Sequence, residues 1–196
     1  MNIETFYSNV KQTCSWPSLY YGIVSNIINA NNYKKCVEVG IGYGFHAKEI
    51  LKNTQLEQLY LVDPMKWYPN DDFPKDILSM NGTNPFDDLV GMIKQELSSY
   101  ENRYTWFRVP SLDITQEQIP DDSLDIVFLD ADHSFLAVIS DLHFWWKKLK
   151  KGGELLGDDF YMESVSKAVK QFSKDINQPF SFIYKNDYVI YSFLKI

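Results

Sequence analysis

Cysteine and long apolar runs are scarce in this sequence. Its two cysteines, Cys14 and Cys36, are too few for a disulfide framework or a cysteine-built zinc site. Cys36 opens an apolar stretch and is expected to be a small core residue. No apolar run approaches the roughly 18 residues that a membrane span needs, and the start Met1–Glu4 lacks the basic and apolar regions of a signal peptide. We therefore expect a cytoplasmic protein without a membrane segment.

Positive charge is also in short supply. The 26 acidic residues outnumber the 19 basic ones and give a net charge of −7. Because binding along a nucleic-acid backbone needs a basic face, no nucleic acid is expected as the main partner. A small molecule, neutral or cationic, fits this charge balance. A homodimer is the assembly that we consider beside a monomer.

Large aromatic rings, by contrast, are plentiful, with 13 Tyr, 13 Phe and 5 Trp. They either fill the core or line an aromatic substrate pocket. The 196 residues contain no repeat or linker, which predicts a single domain over 1–196 that opens with a helical cap at 1–34. Residues 64–86 carry prolines and an Asn-Gly pair and predict an insertion loop. This loop either packs on the surface or covers the substrate with Trp67, Tyr68, Phe73 and Phe86.

Strand and helix signals alternate along the chain. The predicted helices are Ser18–Ala30, Phe45–Leu51, Phe86–Tyr100, Phe135–Leu149 and Ser164–Asp175. The predicted strands are Lys35–Val39, Gln58–Val62, Tyr104–Val109, Ser123–Leu129, Glu154–Leu156 and a hairpin of Phe180–Tyr184 with Tyr188–Leu194. This order predicts an α/β fold, a Rossmann-like doubly wound sheet of seven strands with helices on both faces. The sheet should be mostly parallel, with an antiparallel C-terminal strand.

A glycine turn follows the first predicted strand. Gly40, Ile41, Gly42 and Gly44 lie where the strand turns sharply into a helix, and glycine lets the backbone approach a ligand closely there. Asp63 ends the next strand, where a carboxylate can accept both hydrogen bonds of a ribose diol. A dinucleotide fingerprint needs a third glycine at Phe45, so the turn favours another adenosyl cofactor. Glu38, beside the turn, suits a sulfonium with an amino-acid tail.

Acidic side chains follow two further strands at their carboxyl ends. Asp130 and His133 come directly after one strand, and Asp158 and Asp159 after the next. Because parallel strands end at one edge of a sheet, Asp130, Asp158 and Asp159 can converge on a hard cation such as Mg²⁺. Raised pKa values or exposure to solvent are the alternatives to a metal. His133 is a candidate base that takes a proton from a hydroxyl, and a structural histidine is the alternative.

These segments together resemble the class I S-adenosylmethionine-dependent methyltransferases, in the branch called methyltransferase domain 24. That branch includes macrocin-type sugar O-methyltransferases. The resemblance is carried by Val37–Gly44, Leu61–Pro64, Leu124–Phe135, Asp141–Leu142, Trp145–Trp146, Leu149–Gly153 and Gly157–Phe160. It covers most of the chain, from Val37 to Phe160.

The layout after Pro110 also resembles catechol O-methyltransferase. This likeness implies that Ser111 and Leu112 contact the adenine. It also implies that Asp130 lies beside the cofactor and takes part in catalysis. The Mg²⁺ ligands that it implies are Asp130, Asp158 and Asp159. His133 falls where macrocin-type enzymes have a histidine base. The implied activity is O-methylation of a small hydroxylated molecule. A non-catalytic cofactor- or metal-binding module and an NAD-dependent oxidoreductase are the alternatives.

Overall fold

The computed structural model describes residues 2–66, 77 and 84–196. Its strands are β1 Lys35–Val39, β2 Gln58–Val62, β3 Tyr104–Phe107, β4 Leu124–Leu129, β5 Leu149–Gly157, β6 Ser181–Lys185 and β7 Tyr188–Leu194. They form one seven-stranded sheet in the order β3-β2-β1-β4-β5-β7-β6. Strands β1 to β5 are parallel, and β7 runs antiparallel to both β5 and β6. The predicted sheet with its reversed C-terminal strand is confirmed.

The helices are α1 Ile3–Thr13, α2 Trp16–Leu19, α3 Ile23–Asn31, α4 Phe45–Asn53, α5 Pro85–Leu97, α6 Phe135–Lys148 and α7 Glu163–Asp175, with 3-10 turns at Ser98–Arg103 and Ser111–Asp113. The predicted single helix Ser18–Ala30 is wrong, because Gly22, at a left-handed φ of 92°, separates α2 from α3. Strand β3 ends at Phe107 instead of Val109, and α5 gives way to a 3-10 turn before Tyr100.

Helix α1 lies in the predicted helical cap at 1–34, where no separate helix was predicted. Its apolar residues are few but share one face, with Phe6 and Tyr7 buried and Ile3 and Val10 packed against the same core. The side chain of Asn2 caps the helix by accepting a hydrogen bond from the backbone N–H of Thr5. The N-terminal segment is therefore helical from its start.

Two cores lie on the two faces of the sheet. Helices α1 and α3 to α5 pack on one face and α6 and α7 on the other. Cys36 is fully buried in the first core, as expected. Phe86, predicted both as the last residue of the insertion loop and as the first of a helix, belongs to α5 and packs against this core. Trp67, Tyr68 and Phe73 lie outside the described residues.

The carboxyl ends of β1, β4 and β5 meet at one edge of the sheet. The backbone N–H of Asp130 donates to Val39 O at 2.9 Å, and that of Asp158 donates to Leu129 O at 3.1 Å. These bonds continue the parallel ladder by one step beyond the strands. The residues that follow β1, β4 and β5 are thereby brought side by side. In the described part of the chain, no helix is both long and apolar enough for a membrane crossing.

Candidate active site

The glycine turn between β1 and α4 touches the end of β4. Gly40 has a left-handed φ of 81°, and a Cβ at this residue would come within 1.9 Å of the backbone oxygen of Asp130. A side chain at residue 40 therefore faces both a strained backbone and a steric clash. Gly42 and Gly44 also have positive φ. The turn can lie this close to Asp130 only because residue 40 is glycine.

Asp63 organises the same turn from the end of β2. Its Oδ2 accepts the backbone N–H of Ile41 at 3.0 Å, and its Oδ1 accepts that of Met65 at 2.7 Å. These two bonds hold the start of the glycine turn and the backbone after β2 on one carboxylate. Asp63 thus has a structural task besides the ribose contact that the sequence predicts.

Glu38 lies beneath the turn and is paired with a histidine. Its Oε1 lies 2.9 Å from Nδ1 of His46, and both side chains are buried. Burial raises the pKa of Glu38, and His46 opposes this effect. For His46, burial favours the neutral ring, but Glu38 raises the pKa above its usual value. The pair is therefore a buried acid and a buried imidazole joined by one short contact.

Two tyrosines cover the acidic edge. The Tyr20 hydroxyl, from the turn before α3, donates to Asp130 Oδ2 at 3.2 Å. The Tyr188 hydroxyl, from β7, lies 2.7 Å from each oxygen of Asp158. The two rings stack at 5.5 Å. The N-terminal segment and the terminal hairpin therefore meet above these carboxylates.

His133 lies between two of the predicted acids. Its Nε2 is 2.7 Å from Asp159 Oδ2 and 3.8 Å from Asp130 Oδ1. The carboxylates of Asp130 and Asp159 raise the pKa of His133 to about 10. Burial raises the pKa of Asp159, yet its contact with His133 leaves that pKa below the usual value. His133 accordingly carries a proton at neutral pH before any ligand binds.

The donor set for a metal differs in part from the predicted one. Asp130, His133 and Asp159 each offer a ligand atom, and these atoms lie within 4.8 Å of one another. Two carboxylates and an imidazole fit a divalent cation. Asp158 is not part of this group; the Tyr188 hydroxyl lies 2.7 Å from each of its oxygens, and burial, followed by the charge of Asp130, raises the pKa of Asp158 to about 7. The structure brings Asp130 and Asp159 together with His133, and Asp158 lines the same cavity as Asp130 and His133.

Ser111 is held from two sides. Its hydroxyl donates to Asp141 Oδ1 at 2.5 Å and accepts the indole N–H of Trp145 at 2.8 Å. Because its one hydroxyl proton is used, the Ser111 side chain can meet a further ligand only as an acceptor. Burial raises the pKa of Asp141 to about 6. The neighbouring Leu112 is half exposed and presents apolar surface.

Several residues of the site were missed by sequence reasoning. His46 and Asp141 lie inside helices, and Tyr20 and Tyr188 are far from the acids in sequence. The available signal was the unusual number of aromatic residues. A high number of aromatic residues is consistent with a site lined by rings. It does not indicate which aromatic residues line the site.

Comparisons with known proteins identify relatives of this chain. A family model described as a methyltransferase domain matches residues 37–160. An uncharacterized protein of Acanthamoeba polyphaga mimivirus is 25% identical over 177 residues, covering 84% of this chain and 73% of that protein.

Solved structures show the same fold. An O-methyltransferase from Bacillus cereus in complex with S-adenosylhomocysteine aligns with a TM-score of 0.63 at 11% identity, over 98% of this chain and 90% of that one. An S-adenosylhomocysteine-bound methyltransferase from Podospora anserina aligns with a TM-score of 0.59 at 11% identity, over 99% and 87%.

Proposed function

The chain belongs to the class I S-adenosylmethionine-dependent methyltransferases, and we propose that it transfers the methyl group of this cofactor to a hydroxyl oxygen of a small molecule, a sugar or a phenol. The observation that carries the proposal is the position of His133. It lies between Asp130 and Asp159 at the sheet edge where the backbone of Asp130 meets Gly40 of the glycine turn. A proton acceptor and the proposed cofactor site are thus neighbours.

The cofactor would bind along the carboxyl ends of β1, β2 and β4. The backbone of Gly40–Gly44 allows close approach, Asp63 accepts the ribose hydroxyls, and Glu38 Oε2 accepts the amino group of the methionine tail. Ser111, through its backbone, and Leu112, through its side chain, would contact the adenine. Tyr20 shows that the N-terminal segment reaches the acidic edge, which supports a role of this segment in covering the acceptor.

The reaction is an in-line displacement. When bound, the cofactor would supply the methyl group: the acceptor oxygen would bond to the methyl carbon as the bond from that carbon to sulfur breaks, which would leave a neutral thioether. The hydroxyl proton passes to Nε2 of His133, which therefore has to be unprotonated at that moment. Asp159 and Asp130 stabilise the imidazolium that forms. The protein otherwise contributes alignment of donor and acceptor.

A divalent cation such as Mg²⁺ would be held by Asp130 and Asp159 and, when bound, would lower the pKa of the acceptor hydroxyl. The nitrogen of His133 that faces these acids is also the proposed base, so it serves as base or as ligand but not as both at once. Because Mg²⁺ prefers oxygen ligands, His133 remains available as the base.

The proposal is tested with deuterated S-adenosylmethionine and a panel of sugars and phenols, each assayed with Mg²⁺ and with EDTA. We expect transfer of the labelled methyl group to an acceptor oxygen. Calorimetry should show binding of S-adenosylhomocysteine and no binding of NAD. Binding of S-adenosylhomocysteine without transfer to any acceptor would favour a non-catalytic module, and binding of NAD alone an oxidoreductase.

A further inference from the structure

The glycine turn between β1 and α4 has little internal resistance to a change of shape. Gly40, Gly42 and Gly44 all have positive φ, and glycine adopts either sign of φ at little cost. The backbone N–H of Gly44 closes the turn by donating to Ile41 O at 2.7 Å. A turn that has to be ordered when a ligand arrives binds that ligand more weakly, because ordering the backbone costs free energy. Contacts from outside the turn are therefore needed to fix its shape.

The peptide unit between Tyr43 and Gly44 is the part of the turn that can reorient most easily. Because a trans peptide unit is planar, the oxygen of Tyr43 and the N–H of Gly44 point in opposite directions. A rotation of this unit, called a peptide flip, changes ψ of Tyr43 and φ of Gly44, and glycine permits the new φ. The flip would break the hydrogen bond from Gly44 to Ile41 and would turn one carbonyl oxygen toward another.

Helix α1 holds this peptide unit from the carbonyl side. The Tyr7 hydroxyl donates to Tyr43 O at 2.9 Å, and Tyr7 is only 2% exposed. A flip would carry the Tyr43 oxygen away and leave a buried hydroxyl without its acceptor, which is costly. The hydrogen bond on the carbonyl and the one on the N–H of Gly44 therefore oppose the flip together.

Packing keeps α1 against the turn. The ring of Tyr7 lies 5.3 Å from that of Phe45, and the ring of Phe6 lies 6.1 Å from that of Tyr43. Helix α5 also contacts the turn, since a Cβ at Gly44 would come within 2.6 Å of Ile93 Cγ2. Packing of this kind excludes water but leaves the orientation of a peptide unit open. The directional contact is the hydroxyl of Tyr7.

Resting on the proposed cofactor site, we propose that Tyr7 is a positioning residue for the cofactor. Its hydroxyl holds the Tyr43–Gly44 peptide unit in the orientation to which the cofactor binds. Tyr7 acts through the turn, and it belongs to α1, which precedes the segment 37–160 that the family model matches. The N-terminal helix thereby takes part in cofactor binding.

The test is calorimetry of the full chain with S-adenosylhomocysteine, on the wild type and two tyrosine variants. Tyr7→Phe keeps the ring and removes only the hydroxyl. Tyr33→Phe is the matched control, because the Tyr33 hydroxyl also donates to a backbone oxygen, that of Gly152 at 3.1 Å, but lies at the opposite end of β1 from the turn. We expect Tyr7→Phe to weaken binding by about three- to tenfold, as for the loss of one hydrogen bond, and Tyr33→Phe by less than about twofold.

Backbone motion at Gly44 gives a readout that a general loss of stability would not change. Relaxation dispersion of backbone amides detects exchange between conformations on the microsecond-to-millisecond scale. In ligand-free Tyr7→Phe we expect such exchange at Gly44, and S-adenosylhomocysteine should suppress it. The wild type and Tyr33→Phe should show no exchange at Gly44. Thermal unfolding of the two variants measures the loss of stability separately.

Binding of S-adenosylhomocysteine by Tyr7→Phe at the wild-type affinity, or equal weakening in both variants, overturns the inference and leaves the proposed function intact. Exchange at Gly44 in the ligand-free wild type also overturns it, and this measurement does not depend on the folding of any variant. Failure of the wild type to bind S-adenosylhomocysteine contradicts the proposed function itself.

Discussion

Nε2 of His133 lies 2.7 Å from Oδ2 of Asp159, a distance at which an imidazolium and a carboxylate form an ion pair. Asp130 adds a second negative charge from the other side, 3.8 Å away. The two acids stabilise the imidazolium, and this is favourable once the base has accepted its proton. The same stabilisation keeps the base protonated beforehand.

Turnover should therefore increase with pH. The pKa of His133 is raised to about 10, so below that pH the unprotonated fraction grows about tenfold per pH unit. We expect kcat to follow this slope from pH 7 to 9, measured with saturating S-adenosylmethionine and a sugar acceptor that does not titrate in this range. A flat profile would mean that His133 is not the base or that a ligand has already lowered its pKa.

Metal binding should depend on Asp159 and much less on Asp158. Asp159 belongs to the group with Asp130 and His133, whereas Tyr188 occupies Asp158. Mg²⁺ should raise the Tm of the wild type and of Asp158→Asn, and it should leave the Tm of Asp159→Asn unchanged. If both variants lost this rise in Tm equally, the result would favour the three-carboxylate site that the sequence predicts.

The contact of Gly40 with Asp130 should make residue 40 intolerant of a side chain. Gly40→Ala should lower the free energy of unfolding by roughly 1–3 kcal/mol and weaken binding of S-adenosylhomocysteine, because the turn has to move away from Asp130. Gly91 in α5 is the control: a Cβ there would meet no described heavy atom within 4 Å. Gly91→Ala should stabilise the helix by about 0.5–1 kcal/mol. Denaturant unfolding measures the free energy of unfolding of both variants. Equal changes in the two variants would contradict the close approach of Gly40 to Asp130.

The charge of Asp141 should lower the free energy of unfolding at neutral pH. Its pKa is about 6 in the folded chain and near 3.8 when unfolded, so the folded state disfavours the charged form as the pH rises from about 4 to 6. Asp141→Asn keeps an acceptor for Ser111 without the charge. It should raise the free energy of unfolding by up to about 3 kcal/mol at pH 8 and by little near pH 4.

The control for Asp141 is Asp113→Asn, an exposed carboxylate on the nearby 3-10 turn, which should shift stability by less than about 0.5 kcal/mol. A gain at pH 4 as large as that at pH 8 would show that charge burial is not the cause.

Strand-end residues were the most predictable part of this molecule. Asp63, Asp130 and Asp159 follow apolar strands directly, and the geometry of a parallel sheet alone places them at one edge. The reversed strand β7 was equally readable, because two apolar runs flank a short polar turn at Asn186.

Side-chain pairing could not be read from local patterns. Tyr20 reaches Asp130 and Tyr188 reaches Asp158 across long stretches of chain. Asp158 lies outside the group of Asp130, His133 and Asp159, and the Tyr188 hydroxyl is 2.7 Å from each of its oxygens. Helix α1 was missed because its few apolar residues are buried only by packing on the core.

Transfer of a deuterated methyl group to an acceptor oxygen, followed by mass spectrometry, tests the central claim most directly. The wild type and His143→Asn should transfer at equal rates, and His133→Asn should be slower by at least about a hundredfold while still binding S-adenosylhomocysteine. Transfer by His133→Asn at the wild-type rate, or a label found on nitrogen or carbon, would contradict the account.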